Sequence, residues 1–307
     1  MKDTFMIEMM EEADDLPPKY VRTLISMMGS MDNVKEVLHN RKIIKLEDAV
    51  RLLFDKNGRR IPWNLRAAVC DPDPDFKLAG QEKVDFASRL SRLADALEMA
   101  VPITAARFED EAGQLVELVK TAANGLCANI LKGVCLPIIV PQTTEGDYGA
   151  VLESFYLPAL ERAYKKEYPS RAFTNHPKGK LANQVTIVPD ICHDRLAAKS
   201  RLGWQVILFF PNPLQGFSVH AQREQLAQLP EEFSLAGGID GLPAWTMWVD
   251  VLTRDHQTPG FDLSALQWQA SAYSLCVRAG ATGTVFGCES GLGHALGLCS
   301  GGLSFAR

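Results

Sequence analysis

The chain has 307 residues, 47% of them hydrophobic and 22% charged, with a formal net charge of −5. That is an ordinary globular balance, large enough to bury a core without covalent staples, and the acidic surplus argues against broad attraction to nucleic-acid backbones or anionic lipid. The best candidate for a membrane helix, Leu126 to Val140, carries Lys132 and is too short to cross a bilayer.

Residues 1–70 read as an N-terminal helical region. The opening MKDTFMIEMMEEADD is acidic and lacks the basic start and apolar run of a signal peptide. Tyr20, Leu24, Met27 and Met28 share one helical face. LEDAVRLLF follows, and Asn57-Gly58 marks a turn. Seven of the nine methionines lie in the first 31 residues. Methionine fills irregular cores and lines adaptable surfaces, and so small a segment must dock its apolar face on the rest of the chain or on a second chain. DPDPDF at 71–76 is a stiff acidic connector, because proline disfavours helix in the residue before it. It sets the expected boundary, and residues 71–307 read as an α/β domain. Two helices open that domain. Phe86, Leu90, Leu93 and Leu97 share one face, and Leu115, Leu118, Ala122, Leu126 and Ile130 share another.

Three apolar runs then end alike: LPIIV before Pro141, VTIV before Pro189 and VILFF before Pro211. Runs of this length suit strands buried on both faces. Proline cannot donate to a sheet ladder, so each strand should stop there. Each loop leads into a helical pattern, near 147–166 (reset at Pro158), 191–201 and 219–229. FSLAGG at 233–238 reads as a fourth strand before a helix through Trp245 and Val249. YSLCVRA, GTVFGC and GLSFA read as glycine-bounded antiparallel strands. The expected class is α/β, a mixed sheet with a parallel centre and antiparallel C-terminal strands, preceded by the helical region. If the centre is parallel, the three loops share one sheet edge, where open α/β sheets bind ligands.

That edge supplies the candidate site residues. In Asp190-Ile191-Cys192-His193-Asp194, Asp190 is placed to cap a helix. Cys192 then falls in the first turn, where the dipole favours the thiolate nucleophile. His193 is its sequence neighbour and faces elsewhere on a helix, so a base for Cys192 must come from another segment, with His220 or His256 as candidates. Thr144 and Asp147 in the first loop, and Asn212, Gln215, Gly216 and Ser218 in the third, are candidate ligand-binding residues. Amides both donate and accept, Gly216 permits close backbone approach, and Ser218 is placed to cap the next helix.

Other patterns fail on spacing. Asp190, His193, Asp194, Asp255 and His256 offer metal-ligating atoms without H-E-x-x-H or C-x-x-C spacing, so neither a metal nor another cofactor is expected. Gly291-x-Gly293 with Gly297 misses the dinucleotide fingerprint by one residue and has no following βαβ unit. Ser290 and Ser300 stand in G-x-x-S-G rather than in a nucleophile elbow. Arg162 to Arg171 mixes cations with two tyrosines, which equally suits the solvated end of a helix. The seven cysteines fit free thiols in a reducing compartment, with the cytoplasm as default.

The last lysine is Lys199, and four of the five tryptophans follow it. Lysine resists burial, and interfaces are depleted in it and enriched in tryptophan. The stretch is therefore either unusually internal or covered by a protein partner or a second copy. Two function classes fit. One is a binding or assembly protein acting through a lysine-free apolar surface and the loop edge, with a protein partner or self-association, room for a small molecule, and neither nucleic acid nor membrane. The other is a hydrolase- or transferase-type enzyme with Asp190, Cys192, His193 and the Asn212–Ser218 loop at its site.

Overall fold

A computed structural model describes residues 30–39, 52–78, 83–143, 146–269 and 272–307. The face at Tyr20, Leu24, Met27 and Met28 and the candidate Thr144 lie outside the described residues. Compactness divides the chain into two units, 1–50 and 51–307. In the first, helix α1 (Met31–Leu38) is capped by Ser30, whose side chain accepts from the Asn33 N–H.

The second unit holds helices α2 (Phe86–Leu97) and α3 (Ala105–Thr121), strand β1 (Leu136–Val140), and helices α4 (Tyr148–Val151) and α5 (Leu157–Glu167). Strands β2 (Ala172–Asn175) and β3 (Val185–Ile187) precede α6 (His193–Leu202), β4 (Gln205–Phe210), α7 (Val219–Leu226) and β5 (Phe233–Leu235). Then come α8 (Gly238–Met247), α9 (Val249–Leu252), β6 (Gly260–Asp262), β7 (Leu266–Trp268), β8 (Tyr273–Ala279), β9 (Gly283–Gly291), β10 (Cys299–Gly301) and β11 (Leu303–Phe305). The protein is α/β, with helices, parallel and antiparallel strands and an N-terminal helical region.

Strand direction departs from expectation. The four-stranded sheet runs β1-β4-β11-β5, and every neighbour in it is antiparallel. The loops after Pro141 and Pro211 therefore leave opposite ends, and β3 pairs with β7 in a separate two-stranded sheet. The shared loop edge does not form. Helices cover both faces of the four-stranded sheet, so its strands are mainly apolar whichever way they run. The parallel pairs, β10 with β6 and β2 with β9, flank a five-stranded sheet of order β10-β6-β8-β9-β2.

Register sorts the four-stranded sheet into two faces. Ser304 lies opposite Phe209 and Ser234, on the side that packs α2, α5 and α8. Leu303 and Phe305 lie with Phe210, Leu208, Leu235 and Phe233 against Ala112, Leu115 and Val119 of α3. Helix α3 stops at Thr121 instead of running on to Ile130, which leaves Leu118 38% exposed. Ahead of Pro158 the helix widens into a π turn over Leu152–Tyr156. The proline ring has no N–H and clashes with the carbonyl four residues back, and the wider turn absorbs it.

Three of the four tryptophans in the lysine-free stretch are internal. Trp245, Trp248 and Trp268 are all buried. Trp245 packs on Phe261 with ring centroids 4.3 Å apart, and Trp248 Nε1 donates to the Pro137 carbonyl at 2.9 Å. The Arg89 guanidinium sits 3.8 Å over the Trp248 ring while donating to Asp250 at 2.5 and 2.9 Å. A contact surface built on these tryptophans is thereby removed, and their enrichment is a core effect.

Residues 299–305 cross from one sheet to the other. A Cβ on Gly302 would stand 2.6 Å from Phe261 Cε2 and 2.9 Å from Phe209 Cζ, both on buried rings. Gly302→Ala should lower stability by about 1–3 kcal/mol, the usual range for overpacking, seen as an earlier urea midpoint. An unchanged midpoint would show the crossing to be slack.

Candidate functional site

A groove of about 650 Å³ opens between the N-terminal half of α6, the turn after α3 and the residues flanking β5 and β11. Its apolar lining includes Leu118, Leu196 and Phe305, and its cations include Arg195 and Lys199. Arg195 Nη1 donates to Glu231 Oε2 at 2.8 Å, and Lys199 Nζ donates to the Arg307 carbonyl. Glu231 favours the charged form of Arg195, with Cys192 next in effect. Both members of the Arg195–Glu231 pair are more than half exposed, so either can turn to another partner.

The groove walls depend on unusual backbone. After Thr121 the chain takes left-handed angles at Ala123 (φ 49°), Asn124 (φ 56°) and Gly125 (φ 85°). On the facing wall Cys192 (φ 58°) is also left-handed, as is Asp190 (φ 62°) two residues before it. Seven described residues other than glycine have positive φ, and three of them, Ala123, Asn124 and Cys192, line this one groove. For alanine and cysteine that conformation costs about 1–2 kcal/mol each, and such strain concentrates at functional sites.

Cys192, half-exposed, holds the N-cap position of α6 without a side-chain capping bond. Asp190 is exposed two residues earlier and does not cap the helix. His193 turns the other way and is fully buried. Its ring packs on Gly237, where an added Cβ would meet Nε2 at 2.4 Å. Nε2 lies 2.8 Å from Tyr148 Oη, which accepts from the Gly238 and Ile239 N–H groups at 3.0 and 3.2 Å. Burial pushes the Tyr148 phenol far above its ordinary pKa, so it keeps its proton. The phenol therefore donates to Nε2, which places the neutral imidazole's proton on Nδ1. Nδ1 is 3.9 Å from Asp240 Oδ1, and the Leu235 carbonyl is the backbone acceptor near the ring. Asp240 accepts from the Gly237 and Gly241 N–H groups and, at 2.5 Å, from Ser304 Oγ. Tyr148, Asp240 and Ser304 are absent from the sequence reading. The one signal for them is G-G-I-D-G, in which Asp240 reaches back to the N–H that opens α8.

The remaining candidates lie elsewhere. Asp147 caps α4, accepting from the Ala150 N–H at 2.6 Å. Ser218 caps α7 as expected, accepting from the Ala221 N–H. Gln215 Nε2 donates to the carbonyls of Phe76 and Gly297, and its own carbonyl accepts from Arg59 Nε. At Gly216 (φ 84°) a Cβ would stand 2.4 Å from the Cys70 carbonyl oxygen, so the close approach is made by the chain itself. Asn212 lies beside Gly133. This loop joins residues 59–76 to the C-terminal strands, which places DPDPDF inside the second unit. His220 is exposed on α7, its N–H bonded to the Leu292 carbonyl, and is not part of the groove. Among the described residues no three metal-ligating side chains converge, and no helix is long and apolar enough to cross a membrane. No protein-family model, curated protein or solved structure matches the chain.

Burial lowers the His193 pKa, against the opposing pull of Asp240, the Leu235 carbonyl and Asp194. With the folded value below the unfolded one, unfolding takes up a proton at acid pH. This contribution to stability is whole above about pH 6.5 and declines as pH falls below it. Urea midpoints between pH 8 and 5 should show that decline in the native chain and a shallower one in His193→Asn. Equal slopes would remove His193 as the cause.

Cys127, Cys276 and Cys299 are buried, and burial pushes the Cys135 thiol up to about 12. A limiting alkylating reagent should therefore label Cys192 ahead of these four. Faster labelling of Cys276 or Cys299 would contradict the placement.

Proposed function

We propose that this chain is a binding protein whose ligand is a small anion with an apolar body, held in the α6 groove. The observation that carries the reading is the concentration of left-handed residues around a groove of about 650 Å³, inside the range of small-molecule pockets. Leu118 offers apolar contact over the buried Leu196 and Phe305, and Arg195 and Lys199, beside Glu231 and Glu232, offer charge-assisted hydrogen bonds to an anionic group.

Binding is favoured over thiol catalysis by the neighbours of Cys192. Hydrolytic or transfer chemistry at a thiol also needs a group in reach to move the proton of the attacking or leaving group. His193 is spent on Tyr148, and no histidine among the described residues hydrogen-bonds Cys192. The free state of all seven cysteines suits the reducing compartment proposed from their spacing.

Anilinonaphthalene sulfonate, an anion on an apolar ring system, is a direct probe. Fluorescence titration should give one saturable site. The double variant Arg195→Glu/Lys199→Glu should weaken it by at least about 10-fold, equivalent to 1.4 kcal/mol. Leu118→Trp, at an exposed position on the groove wall, should fill the site and abolish binding without shifting the melting midpoint. Titration without saturation, or binding that survives Leu118→Trp, would overturn the reading.

A further inference from the structure

We propose that Asn124 is a site of spontaneous covalent modification, and that its loss of ammonia adds a negative charge to the wall of the α6 groove and weakens anion binding there. The effect on binding rests on the reading of that groove; the modification does not. The chain has two Asn-Gly pairs, Asn57-Gly58 and Asn124-Gly125. Asparagine is chemically labile, and most so before glycine, whose missing Cβ lets the backbone nitrogen approach the side chain. The Gly125 nitrogen attacks Asn124 Cγ, a new N–Cγ bond forms, and the Cγ–Nδ2 bond breaks. The Gly125 amide proton passes through solvent to the departing nitrogen, which leaves as ammonia. Water then opens the five-membered ring at either carbonyl and leaves aspartate or isoaspartate, with one new carboxylate. The step needs no oxidant, reductant or reagent besides water.

The two pairs are equivalent in sequence and differ in the fold. Gly58 is buried, and its N–H donates to the Asp55 carbonyl at 3.1 Å. A Cβ on Gly58 would stand 2.5 Å from the Gly133 nitrogen and 2.9 Å from the Ile130 carbonyl oxygen, so backbone closes over it. The Asn57 N–H is held in turn by Asp55 Oδ1 at 2.8 Å. Ring closure at Asn57 has to break this turn and its packing. Asn124 is exposed on the groove wall, and Gly125 is half-buried. Beyond its chain neighbours, a Cβ on Gly125 would meet only the Lys120 carbonyl oxygen among the described residues, at 3.6 Å. Ring closure turns Asn124 away from its ψ of 36°, and this pair has room to make that turn. The new carboxylate joins Glu231 and Glu232 on a lining whose cations include Arg195 and Lys199, and it competes with an incoming anion for them.

The test is peptide mapping by mass spectrometry after the full chain is held at mildly alkaline pH and physiological temperature. In the native chain Asn124 should convert at least about 10-fold faster than Asn57. In urea the two should convert at similar rates, since each is then governed by its glycine alone. Anion exchange separates the modified fraction, and both fractions are titrated with anilinonaphthalene sulfonate. The modified fraction should bind about 3-fold more weakly, the size expected of one solvent-screened charge on the groove wall. The unmodified fraction from the same incubation should bind as fresh protein does. Asn124→Asp, which carries the charge without the extra backbone carbon of isoaspartate, should reproduce the weakening; should that variant not fold, the separated fractions carry the comparison. The assignment fails if Asn57 converts as fast as Asn124 in the native chain, or if the native and urea ratios agree. The effect on binding fails if the two fractions bind alike. If neither fraction has a saturable site, the groove reading falls and takes the effect on binding with it, while the peptide map still decides the modification.

Discussion

Residues 299–305 belong to two sheets at once, and the architecture depends on that crossing. The first half, β10, runs parallel to β6, and the second half, β11, lies between β4 and β5. Without β11 the edge strand β5 has no neighbour, and the face that packs α3 has lost Leu303 and Phe305. The crossing is possible because two residues there carry no side chain. At Gly301 a Cβ would meet Gln222 Oε1 at 1.9 Å, and at Gly302 it would meet Phe261. These contacts join residues far apart in sequence, which makes loop closure costly before any of it is rewarded.

The same strand anchors the polar part of the core. Ser304 on β11, Asp240 at the start of α8, His193 at the start of α6 and Tyr148 at the start of α4 form one buried series. Three helix starts are thereby held against the last strand. Burying these groups unpaired would cost more than pairing them returns, so the series discriminates against other packings of the same helices. It also fixes the site. With His193 locked between Gly237 and Tyr148, its neighbour Cys192 is forced out through a left-handed residue onto the groove wall. The strain at Cys192 and the order at His193 are two sides of one constraint.

The elements were legible in the sequence to the extent that their residues carried a pattern. LPIIV, VILFF and FSL read as strands because β-branched and aromatic runs bounded by proline or glycine have few alternatives, and Phe86 to Leu97 read as a helix from its spacing. Pairing was not legible. An apolar run reports burial on both faces and is silent on direction, so the antiparallel β1–β4 pair passed for a parallel one. Strands β2, β6, β7 and β10, of three or four residues, have no run to detect. The overlong reading of α3 is instructive, because Asn124-Gly125 is a breaker signal that the spacing of Leu126 and Ile130 outweighed. For the candidate site, the position of Cys192 at a helix start was legible, and the loop edge expected around it was not formed. The surroundings of Cys192 were not legible, since Arg195, Leu118 and Phe305 meet only through the fold. Tyr148, His193, Asp240 and Ser304 stand far apart in sequence, and nothing local joins them.

The groove proposed for binding lies where a helix departs from regular geometry, since it begins where α3 breaks into three left-handed residues. The break in α3 has a cost that local sequence does not relieve, alanine at positive φ. A regular helix through Ile130 would continue the apolar face that begins at Leu115, and a straight helix without Pro158 would have no widened turn beside β2. At α3 the fold forgoes the regular helix, whereas ahead of Pro158 the wider turn is what the proline ring requires. Departures that serve packing alone are relieved by the core they pack against, as at Gly237, where the missing Cβ is filled by the His193 ring. At Ala123, Asn124 and Cys192 the left-handed backbone faces the α6 groove instead of the core, and that difference is what favours the groove as a candidate site.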